Sequence, residues 1–411
     1  MRSKITGGRG TAIALVGCLA LLGACSESGA TSPAEDKAAS DVADLGEPNE
    51  ATGSPVKVGF LSEGKTEGID GTATEEGAQA AVDYANDYLG GMNGHVIELE
   101  TCGTGGTPSG ATACSVKFAK DGVVAVLVGT SGQDHSAFEA LDGSGIGFMI
   151  NNTADPDIMG SDRGFVLNNP LGLAGAQLGI AKDNDVKRGA IVVVDVPSAT
   201  GPVESLSRPA YEAAGIELDL IPISPQVADP TAQVQQAISS GAEQFTILGS
   251  TEFVAAVIKA AKQLGFTGPL VTQVSVFPAD LVAGIPGGLE GVRSITNLSK
   301  DPEDEDRKTY NAVVDEYGVA SSGDFTEIGY QTVTAFLRAV GTDPEAGDAK
   351  SVLAVLQKMR SLQMLPLGNG LTFQCGVNRV ASFLPGICLS QVLVATLGED
   401  GVPTEEKVFS G

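Results

Sequence analysis

The chain contains no tryptophan, only two histidines (His95 and His135) and no Cys-x-x-Cys pair. Because structural zinc sites draw their ligands from closely spaced cysteines and histidines, this scarcity disfavours a metal centre, and we expect neither a metal nor a cofactor. Basic residues are also scarce, since 25 Lys and Arg stand against 51 Asp and Glu, which gives a formal net charge of −26. An acidic surface argues against binding to nucleic acid or docking on anionic lipid.

Long apolar runs are missing as well. No segment beyond the N-terminal region reaches the ~18 consecutive apolar residues that a membrane-spanning helix needs. The N-terminal region has a basic start (Arg2, Lys4 and Arg9) and an apolar run over residues 11–22. This run is too short to cross roughly 30 Å of hydrocarbon, so residues 1–24 are typical of a secretory signal peptide.

The end of that signal resembles the signal of a bacterial lipoprotein. It reads Leu22-Gly-Ala-Cys25. The resemblance implies that Cys25 is lipidated, becomes the first residue and tethers the protein to membrane lipid outside the cytoplasm. An ordinary signal peptide or a short anchor is the alternative. Residues 25–54 then form the lipidated Cys and a disordered acidic linker, because so polar a segment cannot bury enough apolar surface to fold.

Four cysteines remain after Cys18, which lies in the signal, and Cys25. They are Cys102, Cys114, Cys375 and Cys388. An even number in an oxidising compartment indicates disulfides, and four cysteines allow three pairings. We favour the local pairs, Cys102–Cys114 and Cys375–Cys388, each of which closes a loop of about a dozen residues and contributes ~3 kcal/mol in the chain-entropy model.

From residue 56 onward, short apolar strands alternate with amphipathic helices. The strands are predicted at 56–61, 96–100, 123–129, 147–150, 190–196, 217–223, 244–249 and 270–276. The helices between them are predicted near 72–89, 107–120, 134–141, 172–185, 202–214, 231–240 and 252–264. The tail reads as helices at 303–317, 325–340 and 349–362, followed by short strands near 371–373, 379–383 and 391–397. Alternation of this kind predicts an α/β protein with two doubly wound parallel sheets, with the change near residue 170.

The order and spacing of several pieces resemble the type I solute-binding proteins of the branched-chain amino acid (Leu/Ile/Val) ABC transporter family. The pieces are residues 56–61 (VKVGFL), 80–86 (AAVDYAN), 90–94 (GGMNG), 123–129, 260–265 (AAKQLG) and 288–291 (GLEG). The resemblance covers nearly all of residues 55–404, and the local Cys102–Cys114 pair is similar to one found in such proteins.

The resemblance implies a Venus-flytrap fold, in which three crossovers join two lobes. Lobe 1 would comprise 55–171 and 298–372, and lobe 2 would comprise 172–297 and 373–411. The implied function is that of a monomeric, lipid-anchored component of an ABC importer, which closes over a small polar solute and delivers it to permease subunits in the membrane.

The candidate binding residues follow the predicted strands, because ligands of open α/β sheets bind at the carboxyl ends of strands. They carry hydroxyls, amides and few charges, and each could instead cap a helix or a turn. The candidates are Ser62, Glu63, Thr130, Ser131, Gln133, Asn151, Asn152, Thr153, Ser198, Thr200, Thr251, Glu252 and Gln273.

The sequence departs from the amino-acid binders at several of these positions. Gly132-Gln133 stands where they carry two hydroxyl residues, and Thr153-Ala154 is the nearest match to a second hydroxyl position. Pro197-Ser198 replaces an aromatic, and Gln273 lies nearest to their acidic residue. We therefore expect the carboxylate end of the pocket to be partly kept. At the ammonium end, the neutral Gln273 replaces the acidic residue that balances the ligand's amino group. Either Glu63 or Glu252 takes over that role, or the solute lacks a free α-amine and is an amide, a small carboxylate or an aromatic acid.

Two other functions are compatible with parts of the sequence. A ligand sensor that serves a receptor without transport would have the same folded sequence. A hydrolase could use Ser131 with His135 as its base, but Ser131 lacks the closing glycine of a Gly-x-Ser-x-Gly elbow and no third member is recognisable. We therefore expect a binding protein and no catalytic residue.

Substitution Cys25→Ala should release the protein from the membrane fraction, because the attachment point for lipid is lost. Cys18→Ala, inside the signal, is the matched control and should leave the protein in that fraction. Cell fractionation measures both, and an unchanged distribution of Cys25→Ala would contradict the lipoprotein assignment.

Overall fold

A computed structural model describes residues 45–66, 70–321, 323–341, 347–377 and 379–410. The signal segment 1–24 and Cys25 lie outside these residues, so the predictions for them stay predictions. Residues 41–411 group into one unit by their contacts.

The first sheet contains five parallel strands in the order β2-β1-β3-β4-β5. They are β1 (Gly53–Ser62), β2 (His95–Gly103), β3 (Ala125–Val128), β4 (Gly147–Ile150) and β5 (Gly164–Val166). Strand β3 consists only of apolar residues and is buried throughout, because helices cover both faces of a parallel sheet.

The second sheet has seven strands in the order β14-β13-β10-β9-β8-β6-β7. They are β6 (Arg188–Val194), β7 (Glu217–Ile223), β8 (Gln244–Leu248), β9 (Leu270–Thr272), β10 (Arg293–Thr296), β13 (Gln391–Leu397) and β14 (Pro403–Ser410). The first five pair in parallel, whereas β13 runs antiparallel to β10 and β14 antiparallel to β13. A two-stranded antiparallel sheet joins β11 (Gln363–Met364) to β12 (Thr372–Phe373).

Helices connect the parallel strands. Those of the N-terminal half are α1 (Thr72–Tyr88), α2 (Pro108–Asp121), α3 (Asp134–Glu139), α4 (Pro156–Met159) and α5 (Pro170–Asp183). The middle of the chain adds α6 (Pro197–Pro202), a π-helical turn (Val203–Ser207), α7 (Arg208–Ala213), α8 (Thr231–Ser239), α9 (Thr251–Gln263) and α10 (Ala279–Ala283). The last three are α11 (Glu305–Glu316), α12 (Asp324–Val340) and α13 (Ala349–Leu356).

Within the described residues the chain passes between the two sheets three times. The passages follow β5, β10 and β12. After the second passage, α11–α13 return to the first sheet, where Tyr330 and Phe336 of α12 share a buried core with Phe60 of β1. These observations confirm the predicted α/β class with two parallel-sheet lobes. The division of the chain into the two lobes stays a prediction.

A buried amide network ties the second passage to the first sheet. The Gln331 Nε2 atom donates to the backbone carbonyls of Asn297 (3.0 Å) and Pro366 (2.7 Å). Its Oε1 accepts from the side-chain amide of Asn151 at 2.7 Å. Because buried amide groups are costly to leave unpaired, this network fixes where the passage starts.

The structure differs from the sequence prediction in several elements. Strands β5, β10, β11 and β14 are absent from the sequence prediction, and residues 379–383 do not form a strand. The helix predicted to begin near residue 202 is preceded by α6 and opens with the π-helical turn, and α13 ends at Leu356 instead of residue 362. Strands β5, β10 and β11 have four residues or fewer, which is too short a pattern to separate from a loop. Strand β14 has eight residues, but the charged run 405–407 interrupts its apolar pattern.

The ordered fold begins before the predicted end of the linker. Leu45 is 3% exposed and its carbonyl accepts a hydrogen bond from the Tyr84 hydroxyl at 3.1 Å. The Asn49 and Ala51 backbone N–H groups bond to carbonyls of α1. Over residues 45–54 the prediction of a disordered linker is therefore wrong, because these contacts are long-range and leave no local pattern.

Both local disulfides are present. Cys102 pairs with Cys114 and Cys375 with Cys388. The first joins the end of β2 to α2, and the second bridges the loop of the third passage. Over the described ranges, every helix falls short of the length or the apolarity that membrane crossing demands.

Helices α1 and α12 cross at two glycines. A Cβ added at Gly77 would lie 1.9 Å from the Thr326 carbonyl oxygen, and one at Gly329 would lie 2.0 Å from that of Thr74. Glycine is therefore required for the close approach of the two helices.

Substitution Gly77→Ala should lower the free energy of unfolding by about 1–3 kcal/mol, because the added methyl forces the helices apart. Gly175→Ala on α5 is the matched control, since its nearest neighbour is a Phe409 ring carbon at 3.8 Å. The control should be neutral or stabilising by up to ~1 kcal/mol. Denaturant unfolding compares the two, and equal effects would contradict the crossing argument.

Candidate ligand-binding cleft

A cleft of about 530 Å³ opens where the carboxyl ends of both sheets face each other. From the first sheet it is lined by the loops after β3 and β4, namely Ser131, Gly132, Asp134, Asn152, Thr153, Ala154, Asp155 and Pro156. From the second sheet it is lined by Pro170, Leu173, Ala174, Gln177, Ala199, Pro202, Val203, Leu206, Ser207, Leu248 and Gln273. Loops that follow different strands meet here because parallel strands end at one edge of a sheet.

The loop after β3 is held in place by Glu63, a buried residue that follows β1 and is 5% exposed. The Glu63 carboxylate accepts hydrogen bonds from the Gly132 backbone N–H at 2.6 Å, the Ser131 hydroxyl at 3.3 Å and the Thr104 hydroxyl at 2.9 Å. A buried carboxylate persists only with such partners. Glu63 thus positions the loop and does not itself line the cleft.

Asp134 is a carboxylate that faces the cleft. Its oxygens accept hydrogen bonds from the Thr153 hydroxyl at 2.5 Å and from the His135 backbone N–H at 3.0 Å. Burial raises the pKa of Asp134 despite these bonds, and the neighbouring Asp155 carboxylate adds to the rise. Each carboxylate oxygen can accept two hydrogen bonds, so Asp134 keeps acceptor capacity toward the cleft.

The Asp155 side chain caps the N-terminus of α4. One oxygen accepts from the backbone N–H groups of Asp157 and Ile158, and the other pairs with His135 Nδ1 at 2.9 Å. Burial lowers the pKa of His135, but the carboxylates of Asp155, Glu139 and Asp157 together raise it, and the net shift is upward. Ligand atoms of His135, Asp155 and Asp157 lie within 4.8 Å of one another, an arrangement that the capping of α4 explains.

The second sheet contributes an apolar wall. It consists of Leu173 and Ala174 on α5, Ala199 on α6, Val203 and Leu206 in the π-helical turn, and Leu248 at the end of β8. Gln177 lies one turn beyond Leu173, is 2% exposed, and its Oε1 has no hydrogen-bond partner. Of the described residues that line the cleft, none is Lys, Arg or His.

Four of the residues predicted from the sequence line the cleft: Ser131, Asn152, Thr153 and Gln273. Three of the others bond to neighbouring structure, and the side chain of Ser198 lies outside the described residues. Ser62 donates to Glu75, Asn151 to Gln331, and the Thr200 hydroxyl to the Val196 carbonyl. Thr130 and Gln133 flank Ser131 in the loop, Thr251 begins α9, and Glu252 is exposed on its first turn. Ser198 lies in α6.

Sequence reasoning missed Asp134, Asp155 and Gln177. Asp134 directly follows the predicted Gln133, and Asp155 lies two residues after the predicted Thr153, but the pattern assigned residue 134 to the start of a helix and left residue 155 unassigned. Gln177 lies inside a helix, where an isolated glutamine is indistinguishable from a surface residue. A search for acids within two residues of each strand-end loop would have found the aspartates.

A hydrolase would need a hydrogen bond between Ser131 and His135, but each of these side chains bonds to other residues. The Ser131 hydroxyl donates to Glu63 and accepts from the Gln133 backbone N–H at 3.0 Å. The His135 ring pairs with Asp155. Each side chain therefore has a structural role.

A family model described as periplasmic binding protein matches residues 55–380. A search of curated protein sequences gives no significant match.

Solved structures share the fold at low sequence identity. LivJ from Streptococcus pneumoniae, a branched-chain amino acid transporter substrate-binding protein in complex with isoleucine, is 16% identical, covers 87% of this chain and 100% of its own, and has a TM-score of 0.66. A fatty acid ABC transporter substrate-binding protein from Thermomonospora curvata is 14% identical, with 89% and 94% covered and a TM-score of 0.67. An ABC transporter solute-binding protein from Rhodopseudomonas palustris in complex with p-hydroxybenzoic acid is 14% identical, with 87% and 97% covered and a TM-score of 0.69.

Substitution Glu63→Ala should lower the free energy of unfolding by about 1–3 kcal/mol, because three donors lose their acceptor in a buried site. Glu63→Gln keeps one acceptor oxygen and should cost less. Exposed Glu252→Ala is the control and should change stability by less than ~0.5 kcal/mol. Chemical denaturation measures all three, and a fully stable Glu63→Ala protein would contradict the positioning role.

Proposed function

The chain belongs to the periplasmic binding protein family, and from this premise we propose that it captures a small polar solute in the cleft for an ABC importer. Membership implies an extracytoplasmic location and a binding, non-enzymatic role. The solute class proposed from the sequence is an amino acid, an amide or a small carboxylate. The structural neighbours bind solutes as different as isoleucine and p-hydroxybenzoic acid, so the fold leaves the class open.

The observation that carries this proposal is the position of the cleft. Its two walls come from different sheets, and every lining loop or helix lies at the carboxyl ends of strands. A volume of about 530 Å³ is within the usual range of small-molecule sites. One wall is polar and the other apolar, which suits a small solute with one polar end.

Closure of the cleft would use the three passages between the sheets. Hinge closure concentrates its backbone changes in a few connecting residues while the packed bodies move rigidly. The Gln331 network anchors one end of the second passage in the first sheet, which leaves the residues beyond it to absorb the rotation.

Delivery to a membrane permease and anchoring through a lipid on Cys25 complete the proposed function. The residues between the signal and Leu45 would act as the tether. No surface of the described residues is required for self-association in this scheme, and we propose that the protein acts as a monomer.

The purified protein, residues 26–411, should show a higher melting temperature with its solute, because a ligand that binds only the folded state stabilises it. The measurement is a thermal-shift screen over amino acids, amides, organic acids and amines. Ala199→Trp should abolish the shift by filling the cleft, whereas Ala213→Trp, exposed on α7, should keep it. A screen in which no compound shifts the wild type, or in which Ala199→Trp responds like the wild type, would contradict binding in this cleft.

A further inference from the structure

A side-chain hydrogen bond joins the two sheets beside the cleft. The Ser275 hydroxyl donates to Asp324 Oδ1 at 3.0 Å. Ser275 follows β9 of the second sheet and lies two residues after Gln273, which lines the cleft. Asp324 is the first residue of α12, which packs on the first sheet. The contact therefore spans the two bodies whose relative rotation closes the cleft.

Ser275 is fixed to the second sheet. The preceding residue, Val274, donates its backbone N–H to the Thr272 hydroxyl at 3.1 Å, and its carbonyl accepts from the Ser294 hydroxyl of β10 at 2.9 Å. Ser275 itself is buried. Both bonds are made within the second sheet, so Ser275 moves with that sheet as part of one rigid body.

Asp324 is fixed to the first-sheet body by ion pairs. Its carboxylate pairs with Lys300 Nζ at 2.9 Å, and the Lys300 ammonium also donates to Glu327 on the next turn of α12. Glu327 in turn accepts from Arg307 of α11 at 2.9 Å. Because breaking a largely buried ion pair leaves an unpaired charge, this network holds Asp324 in one position.

The conformation in which the contact forms is an open one. The polar side chains of the first-sheet wall bond within that wall or to residues beneath it, as Thr153 does to Asp134 and Ser131 to Glu63. Among the described residues, the loops after β3 and β4 form no hydrogen bond with the second-sheet wall. The Ser275–Asp324 contact therefore exists while the two walls are apart.

A hydrogen bond that lies off the rotation axis is lost when the cleft closes. The donor–acceptor distance of an O–H···O bond stays within about 2.5–3.0 Å. Since Ser275 and Asp324 are held by different bodies, a rotation that brings the cleft walls together changes the distance between them. The contact thus stabilises the open conformation relative to the closed one.

We propose that Ser275 and Asp324 are positioning residues for solute capture: their contact holds the cleft open, and closure over a solute must break it. Neither residue lines the cleft, so the pair sets the affinity without touching the solute. The apparent affinity falls with the fraction of protein in the binding-competent conformation. The inference rests on the proposed function for the closure of the cleft and adds the contact that opposes closure.

Disulfide trapping of the closed conformation tests the inference without a solute. The substitutions Asn152→Cys and Ala199→Cys place one cysteine on each wall of the cleft. A disulfide can join them only when their Cα atoms approach to about 4.4–6.8 Å. The trapping rate under a fixed excess of oxidised glutathione therefore measures the closed population. The four native cysteines of the described chain are already paired.

In this double-cysteine protein, Ser275→Ala should raise the trapping rate about tenfold, because the open conformation loses a hydrogen bond to a charged acceptor. Asp324→Ala should raise it at least as much, and adding Ser275→Ala should raise it no further, because both changes remove one contact. Ser239→Ala on α8 and Asp280→Ala on α10, both exposed, are the matched controls and should leave the rate unchanged. Circular dichroism checks that each variant is folded.

The outcomes separate this inference from the proposed function. An unchanged or slower trapping rate in Ser275→Ala, or additive effects in the combined variant, would overturn the inference while hinge closure stands. If no variant forms the cross-link, the walls do not meet, and the inference is overturned together with hinge closure. The thermal-shift screen tests solute capture independently, so a solute that raises the melting temperature would support capture in either case.

Discussion

Parallel strand pairing is the constraint on which the rest of the molecule depends. A parallel pair cannot be closed by a tight turn, so each strand that leads into a parallel neighbour must be followed by a crossover that returns to the opposite end of the sheet. In both sheets the loops at the carboxyl ends are therefore collected along one edge. The two edges face each other across the cleft, which brings residues 131–134 of one sheet to residues 199–207 and 273 of the other.

Local hydrogen bonding then decides what the cleft offers to a ligand. Side chains near the β3 and β4 loops bind some of the backbone N–H groups there: Glu63 accepts from that of Gly132, and Asp155 accepts from two at the start of α4. The Asp134 carboxylate keeps acceptor capacity toward the cleft, and of the described residues that line it none is Lys, Arg or His.

The second passage between the sheets is anchored at its start by a buried hydrogen-bond network. The Gln331 amide group bonds to Asn151, Asn297 and the carbonyl of Pro366, so that the first sheet, the second passage and the segment before β12 share one buried junction. The glycine contacts between α1 and α12 hold the same helix against the first sheet. In the hinge closure that we propose, rotation about the passages leaves the polar wall of the first sheet intact.

The sequence by itself determined the α/β class, most of the helices, the two local disulfides and the rule that ligand groups follow strands, since these depend on periodicity and spacing within a few residues. It did not determine which strand-end side chains face the cleft. Glu63 and Thr153 both follow strands and look equivalent in the sequence, yet Glu63 lies beneath a loop and Thr153 lines the cleft. Only the tertiary structure decided this, because the direction of a side chain depends on partners distant in the chain, as Gly132 and Thr104 are from Glu63.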